Sequence, residues 1–436
     1  MSVVYFSHNI DTEGPLSLEV PSDIKLPSTY PINRTDFKNF DYNSALEKHR
    51  STLLGSWAEI NDMLTRGINK NFRARHSDSF GNPWVCNWFC MDHIGFLDNP
   101  RNRAMGLHAI FDFYSDLVAR QQFGDKIHWH FHPNHRYGEG HRCAVTYNNS
   151  PELYTILGRR LFDRNWFPRV NRPGCQDERQ DVHWFLEQWI PFDYANAGCD
   201  NALLVGNEDF KDGRVSDWRF APSDWRTYHP HHDCVQIEGN CRRKIAQSAS
   251  LLNRFAPLTE ERLIIAFERA SKGTPTLVGL ESHDWRDLTL EIEYFFYILN
   301  NVKKKFPDVP FRFDNAVDAF NAVHPPKGLP KIRLGCTIYF DEKGLPSKVT
   351  VAVEKGKLFG PQPFFVIRTR SRQIVHDSMD FWNSLNDFCY TFHIDRVLPS
   401  DVEAIGIATN DEAGNQSLHV IEIDNVSDRQ NLAVQF

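Results

Sequence analysis

The chain has 436 residues, of which 41% are hydrophobic and 13% aromatic, so it can bury a sizeable core, and its length favours two domains over one. Lysine and arginine total 49 against 56 aspartates and glutamates, a net charge of -7 without any basic run, so nucleic-acid binding has no electrostatic support. No apolar run reaches the roughly 18 residues that a membrane-spanning helix requires.

Strands and helices are predicted to alternate over about the first 325 residues. The predicted strands are residues 3–10, 84–91, the histidine-rich segment 124–135, 275–280 and 310–313. The predicted helices are residues 44–64, 101–122, 150–162, 179–189, 258–272, 287–305 and 314–322. Loop or irregular structure is predicted for residues 16–42, 165–178 and 200–245. This alternation is typical of a parallel sheet closed into a barrel or distorted barrel.

The histidine-rich segment predicts a metal site. Four histidines fall within eight positions: His128, His130, His132 and His135. Neutral imidazole is the commonest protein ligand for zinc-like ions, and in an extended segment the first three histidines alternate onto one face. Two of them could share one ion with ligands from elsewhere in the chain. The alternative is a histidine-rich surface loop, but Ile127 and Trp129 favour a buried strand end.

Further polar residues follow other predicted strands. Asp11 and Glu13 follow the first strand, and His283 follows the strand at 275–280. Functional residues of a parallel barrel gather at the carboxyl ends of its strands, so these residues and the histidines are predicted to share one site. Taken singly, an acidic strand end often serves solubility, and a lone histidine is more often structural.

After residues 325–328 the pattern changes to short alternating strands. They are predicted at residues 332–340, 348–353, 364–367, 403–408 and 418–423. An all-β tail of this kind is typical of a sandwich. We therefore predict a barrel domain over residues 1–326 and an all-β domain over residues 327–436.

Four motifs occur in an order that resembles a known family. They are Asp11-Thr12-Glu13 after the first strand, His-x-His-Pro at 130–133, Asn171-Arg172-Pro173-Gly174 before a helix that leads to Asp193, and a late strand that reaches His283. This order resembles the polysaccharide deacetylases of carbohydrate esterase family 4, over roughly residues 1–325 and not the tail. The resemblance implies a deformed (β/α) barrel, a divalent ion that is usually zinc, and hydrolysis of N- or O-acyl groups on sugars.

The resemblance also implies a role for each matched residue. The ion would be held by Glu13, His130 and His132. Asp11 would be the general base, Arg172 would orient that base, and His283 would be the general acid.

The chain departs from the family pattern at two points. Thr12 separates the two acids, which are usually adjacent aspartates, and Asn134 stands where a second histidine four residues after His130 would be expected. His128 or His135 could therefore replace one of the metal histidines. Such changes resemble a divergent branch found among proteins of bacterial surface polysaccharide synthesis.

The resulting prediction is a metal-dependent carbohydrate deacetylase, with zinc as the expected ion. It would remove an N-acetyl or N-formyl group from a sugar during bacterial surface polysaccharide biosynthesis, such as that of lipopolysaccharide O-antigen. Nine scattered cysteines without a Cys-x-x-Cys pair, and an amino terminus without a secretory pattern, predict reduced thiols and a cytoplasmic location. That location favours a nucleotide-linked, lipid-linked or oligosaccharide amino sugar as substrate.

Two other functions compete with this prediction. A noncatalytic carbohydrate-binding protein could carry a degenerate deacetylase site and need no metal. A glycoside hydrolase is less favoured, because Asp11 and Glu13 lie too close together on one strand end to act across a glycosidic bond. Residues 225–232, rich in aromatics and histidine, could line a sugar cleft or form an irregular loop with a packed aromatic.

Overall fold

A computed structural model describes residues 2–15, 53–93, 108–132, 147, 150, 152–199, 217–252, 256–326, 328–426 and 433–435. Contacts between residues divide the chain into two compact units. The first unit comprises residues 1–149, 170–180 and 192–325, and the second comprises residues 150–169, 181–191 and 326–436. His135, the loop predicted at 16–42 and the first part of the helix predicted at 101–122 lie outside the described residues. Among the described helices, none has the length and apolarity that crossing a membrane requires.

The first unit contains a parallel sheet and one short antiparallel pair of strands. Its strands are β1 (Val4–Thr12), β2 (Cys86–His93), β3 (Lys126–His132), β4 (Val170–Pro173), β5 (Phe192–Asn196), β6 (Pro230–His231), β7 (Cys234–Glu238), β8 (Lys244–Ser250), β9 (Thr276–His283) and β10 (Phe311–Phe313). Because β1 pairs with β2 along one edge and with β9 along the other, the order β1-β2-β3-β4-β5-β8-β9 closes into a ring. The predicted parallel barrel is confirmed, and β10 adds to the first residues of β1.

The predicted loops are wrong at two strands of this ring. β4 lies inside the loop predicted at 165–178, and β8 begins inside the irregular region predicted at 200–245. β8 has the sequence KIAQSAS, and all seven of its residues are buried. A strand with so few apolar residues gives no hydrophobic pattern, because part of the barrel interior that it faces is polar.

The helices occupy the segments between strands, as a parallel barrel requires. They are α1 (Trp57–Asp62), α2 (Lys70–Arg75), α3 (Ala109–Gln121), α4 (Glu152–Arg164), α5 (Gln180–Trp189), α6 (Glu260–Ser271), α7 (Leu288–Lys305) and α8 (Ala316–Val323). Five of them begin at side chains that accept hydrogen bonds from backbone N–H groups of the first turn, namely Ser56, Asn69, Thr259, Asp287 and Asn315, all of residue types that favour this position.

Helix α8 closes one end of the barrel. Phe320 of this helix stacks on Phe192, with 4.7 Å between the ring centroids, and packs in one apolar cluster with Val170 and Leu277. These three partners stand at the starts of β4, β5 and β9. The amino-terminal end of the barrel is therefore filled, which leaves the carboxyl end for a site.

The second unit is a two-sheet antiparallel structure. Its strands are β11 (Arg333–Phe340), β12 (Pro346–Lys355), β13 (Phe364–Thr369), β14 (Ile374–Asp377), β15 (Asp380–Phe381), β16 (Asp387–Thr391), β17 (Val402–Asn410), β18 (Gln416–Glu422) and β19 (Ala433–Gln435). One sheet has the order β15-β16-β12-β11-β19 and the other β14-β13-β17-β18. Alternate residues of both sheets, such as Ile338, Val351 and Ile407, share one apolar core, so the predicted sandwich is confirmed.

Helices α4 and α5 belong to this second unit apart from Gln180, the first residue of α5. A Cβ on Gly158 of α4 would lie 2.6 Å from a methyl carbon of Ile374, so the absence of a side chain lets the helix approach the sheet closely. The Asn410 side chain donates hydrogen bonds to the backbone oxygens of Pro168 and Trp189. The division into folding domains at residue 326 stays a prediction.

We expect Asp125→Ala to destabilise the first unit strongly. The Asp125 carboxylate accepts two hydrogen bonds from the Arg73 guanidinium at 2.7 and 2.9 Å, and it also accepts from Trp88 Nε1 and Cys86 N. Because Arg73 is fully buried, losing its partner should lower the free energy of unfolding by about 3–5 kcal/mol. Denaturant titration followed by tryptophan fluorescence measures the change.

The matched control is Lys305→Ala, which breaks an exposed ion pair of 2.8 Å with Glu260. It should change the free energy of unfolding by no more than about 1 kcal/mol. Equal effects of the two substitutions would show that the buried pair contributes no more than a surface pair.

Candidate metal centre

A carboxylate and two imidazoles meet at the carboxyl ends of β1 and β3. Glu13 directly follows β1, while His130 and His132 stand two residues apart on β3 and so share a face. Their donor atoms form a triangle: His130 Nε2 lies 2.9 Å from His132 Nε2, and Glu13 Oε1 lies 4.0 Å from the first nitrogen and 3.6 Å from the second. The structure thus brings together the three residues predicted as metal ligands.

The hydrogen bonding of His130 suits a metal ligand. Its Nδ1 lies 2.7 Å from the backbone oxygen of Arg172, which can only accept, so Nδ1 carries the proton. Burial lowers the pKa of His130 well below its usual value, so the ring is neutral. Nε2 therefore presents a lone pair toward His132 and Glu13, the arrangement in which an outer partner orients a metal-binding histidine.

Glu13 is held by residues that follow β9. Trp285 Nε1 donates to Glu13 Oε2 at 3.1 Å, while the other carboxylate oxygen, Oε1, faces the histidines. The Asp284 carboxylate accepts from the backbone N–H groups of Glu13 and Gly14, and also from the Tyr114 hydroxyl. The backbone and side chain of Glu13 are thus both fixed.

The three donor atoms fit one divalent ion. Ligands of a tetrahedral zinc ion, bound at 2.0–2.2 Å, lie about 3.4 Å from one another. The separations of 2.9, 3.6 and 4.0 Å bracket that value. One carboxylate with two imidazoles is also a donor set of catalytic zinc sites, which leave a further position for water. Glu13, His130 and His132 can therefore hold a zinc-like ion.

A second charged cluster adjoins this one and contains its own cation. Arg172 Nε donates to both oxygens of the Asp11 carboxylate, at 2.7 and 2.9 Å, and Arg172 Nη2 lies 2.6 Å from Glu281 Oε1. All three side chains are buried. Asp11, Glu281 and His283 also offer closely spaced donor atoms, but the Arg172 guanidinium already contacts both carboxylates. The Glu13 cluster is therefore the better candidate for an ion.

Asp11 and His283 face each other beside the metal ligands. His283 Nε2 lies 3.9 Å from Asp11 Oδ2, and Asp11 Oδ1 lies 3.7 Å from His130 Nδ1. Burial raises the pKa of Asp11 to about 7, while the Arg172 guanidinium opposes the rise. The His283 ring packs against Trp285, with 4.8 Å between centroids. The predicted base, its orienting arginine and the predicted acid thus lie together.

His128 faces the barrel interior instead of the metal ligands. Its Nε2 lies 3.1 Å from the Asn87 side-chain oxygen, and its ring packs against Phe89. Asn87 in turn donates to the Ser7 hydroxyl, one of the polar groups that line the barrel. Among the described residues, His128 belongs to this polar interior, and His135 lies outside the described residues.

Four neighbours of the site were absent from the predicted residue set: Gln176, Glu281, Asp284 and Trp285. Glu281 could have been found, because it stands two residues before His283 on the same strand and so on the same face. Asp284 and Trp285 lie in a turn and Gln176 ends a three-residue 3-10 helix, and in such short segments no periodic pattern indicates which side chain reaches the site.

The aromatic side chains of residues 225–232 are packed and do not form an open aromatic cleft. Trp225 and Tyr228 are both buried, and each donates its polar hydrogen to a backbone oxygen, that of Arg262 and that of Val235 respectively. Their ring faces are therefore closed to a sugar. The packed-loop alternative for this segment is the correct one.

Comparison with known proteins gives little further guidance. No protein-family model matches the chain, and no curated protein matches it by sequence. Among solved structures, the chain is similar to a candidate polysaccharide deacetylase from Mycobacterium smegmatis, with 9% identical residues and a TM-score of 0.31. That similarity covers 74% of this chain and 90% of the other. At this level it leaves the function to be inferred from the site.

We expect His130→Gln to abolish stoichiometric binding of a divalent ion, because Gln lacks the imidazole lone pair that Nε2 supplies. His128→Gln is the matched control, since Gln can still bond to Asn87 and the metal ligands stay intact. Elemental analysis of both purified variants beside the wild type measures the effect. Full metal retention by His130→Gln, or metal loss by His128→Gln, would show that the ligand set is wrong.

Trp285→Phe should weaken metal binding without abolishing it. The substitution keeps an aromatic ring beside His283 but removes the N–H that holds Glu13 Oε2. Loss of such an outer partner reduces metal affinity by about 10- to 100-fold. Competition with a zinc chelator measures the affinity, and unchanged affinity would mean that Trp285 does not orient the ligand.

Proposed function

We propose that this chain is a metal-dependent hydrolase that removes an acyl group from a sugar. The observation that carries the proposal is the adjacency of two sets of groups at one end of the barrel. Glu13, His130 and His132 form a donor set for an ion, and Asp11 and His283 stand next to it as a base and an acid. Metal-assisted hydrolysis of an acyl bond uses all of these parts.

Each side chain of the site would have its own role in the proposed hydrolysis. A zinc ion, when bound, would acidify a water molecule and polarise the acyl carbonyl. Asp11 would accept the proton that this water loses, and its raised pKa, near 7, suits a base that works near neutral pH. Arg172 would keep both carboxylate oxygens in place. His283, in its protonated form, would give a proton to the departing amine.

The substrate class rests on the order of the sequence motifs. Asp-x-Glu, His-x-His-Pro, Asn-Arg-Pro-Gly and the late histidine follow one another in an order that resembles that of polysaccharide deacetylases, which act on acylated sugars. We therefore propose an N-acetyl or N-formyl amino sugar, in nucleotide-linked, lipid-linked or oligosaccharide form. Bacterial surface polysaccharide synthesis, such as that of O-antigen, is the proposed setting, with the cytoplasm as the proposed location.

We expect Asp11→Asn to retain the metal and lose acyl release. The amide keeps the shape of the carboxylate but cannot accept a proton, so the rate should fall by roughly 10²- to 10⁴-fold. Glu13→Gln, the matched isosteric change two residues away, should instead weaken the metal itself. Release of acetate or formate from N-acylated amino sugars, measured beside metal content, separates the two effects.

Metal content and acyl release can each contradict a different part of the proposal. If Asp11→Asn strips the metal and Glu13→Gln retains it, the two acids have exchanged roles. If the metal-loaded wild type releases no acyl group from any such sugar, the hydrolase proposal fails. A metal-free wild type that still binds glycan would instead support the noncatalytic carbohydrate-binding protein.

A further inference from the structure

We propose that Gln176 recognises the N–H of the scissile acylamino group through its side-chain oxygen Oε1, and so makes the site selective for amides over esters. The inference rests on the proposed function and names the bond that the site is built to accept. No sequence motif singled out Gln176.

The backbone at Gln176 is held in an unusual conformation. Cys175 and Gln176 have φ angles of 55° and 53°, in the left-handed region that side chains other than glycine rarely adopt. Trp218 Nε1 donates to the backbone oxygen of Gln176 at 2.9 Å, and Gly174 abuts the His132 ring, where a Cβ would lie 2.6 Å from it. Strained backbone that its surroundings hold in place is typical of functional sites.

One end of the Gln176 amide is fixed. Its Nε2 donates to Glu281 Oε2, a carboxylate oxygen that cannot donate, so the orientation of the amide is defined. Ser250 Oγ donates to the same oxygen at 3.0 Å, and Arg172 contacts the other oxygen of Glu281. The amide is thus locked against a carboxylate that is itself held from two more sides.

The other end of the amide lacks a donor. Among the described residues, no group donates to Gln176 Oε1, although the side chain is only 3% exposed. A buried acceptor without a hydrogen bond costs free energy, so such groups are rare and call for a partner. Gln176 is as deeply buried as Glu13, which is 4% exposed. The missing donor is therefore expected to arrive with the substrate.

The Gln176 side chain lies beside the reacting groups. In the ring of strands, β5 and β8 separate β4 from β9, so the contact from Gln176, which follows β4, to Glu281 on β9 reaches across the mouth of the barrel. Glu281 is grouped with Asp11 and His283, whose donor atoms all lie within 4.8 Å of its own. One hydrogen bond thus separates Gln176 from the cluster of the proposed base and acid.

The geometry of an amide matches this placement. In a trans secondary amide, the C=O and N–H groups point in opposite directions. When the acyl carbonyl of a substrate points toward the Glu13 cluster, the N–H of the same amide points away from that cluster. Gln176 contacts Glu281, which belongs to the other cluster, that of Asp11 and His283. An ester has no hydrogen at this position, so it would leave Gln176 Oε1 unpaired. A site built to bond an N–H discriminates against an analogue that lacks it.

The test compares amide and ester probes of the same sugar. The probes are methyl glycosides of the gluco, galacto and manno series that carry either a 2-acetamido or a 2-O-acetyl group. Wild-type kcat/KM should be higher for the acetamido probe, although esters are chemically the more reactive. Gln176→Met, which keeps the length of the side chain, should lower kcat/KM for the acetamido probe by about 10- to 100-fold and for the acetyl ester by less than about threefold.

Ser250→Ala is the matched control, because it removes the other donor to Glu281 Oε2 and leaves Gln176 in place. It should affect both probes equally, and metal content should be unchanged in both variants. Equal losses on amide and ester in Gln176→Met, or a selective loss in Ser250→Ala, would overturn the inference.

Wild-type preference for the ester would overturn the inference even if the variants failed to fold. Acyl release from neither probe by the metal-loaded wild type would reject the proposed function and this inference together. An active wild type with no amide preference rejects the inference alone.

Discussion

Arg172 is the residue on which the two halves of the site depend. Its backbone oxygen accepts a hydrogen bond from His130 Nδ1, so that the Nε2 lone pair faces His132 and Glu13. Its guanidinium holds Asp11 on one side and Glu281 on the other. Because one residue orients the candidate metal ligand His130 through its backbone and the proposed base through its side chain, the two cannot shift independently. β4, which supplies this residue, is only four residues long.

The polar interior of the barrel explains why such a cluster can be buried. Ser7, Asn9, Asn87 and His128 bond to one another below the site. Charged groups are costly to bury unless they are paired and hydrogen-bonded, and here the carboxylates of Asp11 and Glu281 meet a single guanidinium. Because the barrel interior is polar, β8 has no hydrophobic pattern from which it could be predicted. A strand that faces polar partners needs no apolar alternation, so its role in closing the ring becomes visible only in three dimensions.

The sequence predicts those parts of the site whose positions follow from strand geometry. Alternation along β3 placed His130 and His132 on one face, and the carboxyl ends of parallel strands brought Glu13 and Asp11 beside them. The same alternation could not separate His128 from the two candidate metal ligands. His128 shares their face of the strand but bonds to Asn87, a residue of another strand. Nor could the sequence pattern find Trp285 or Gln176, whose positions depend on turns and on contacts between residues more than 100 positions apart. The local sequence pattern predicts which face of a strand a side chain occupies, but the tertiary fold determines which residue that side chain contacts.

We propose that Glu13, His130 and His132 hold one divalent ion. Anomalous diffraction from crystals grown with zinc, recorded on both sides of the zinc absorption edge, tests it directly. We expect one peak within about 2.0–2.2 Å of Glu13 Oε1, His130 Nε2 and His132 Nε2. We also expect Arg172 to remain between Asp11 and Glu281. A peak elsewhere, or an ion bound between Asp11 and Glu281 with Arg172 displaced, would show that this ligand set is wrong.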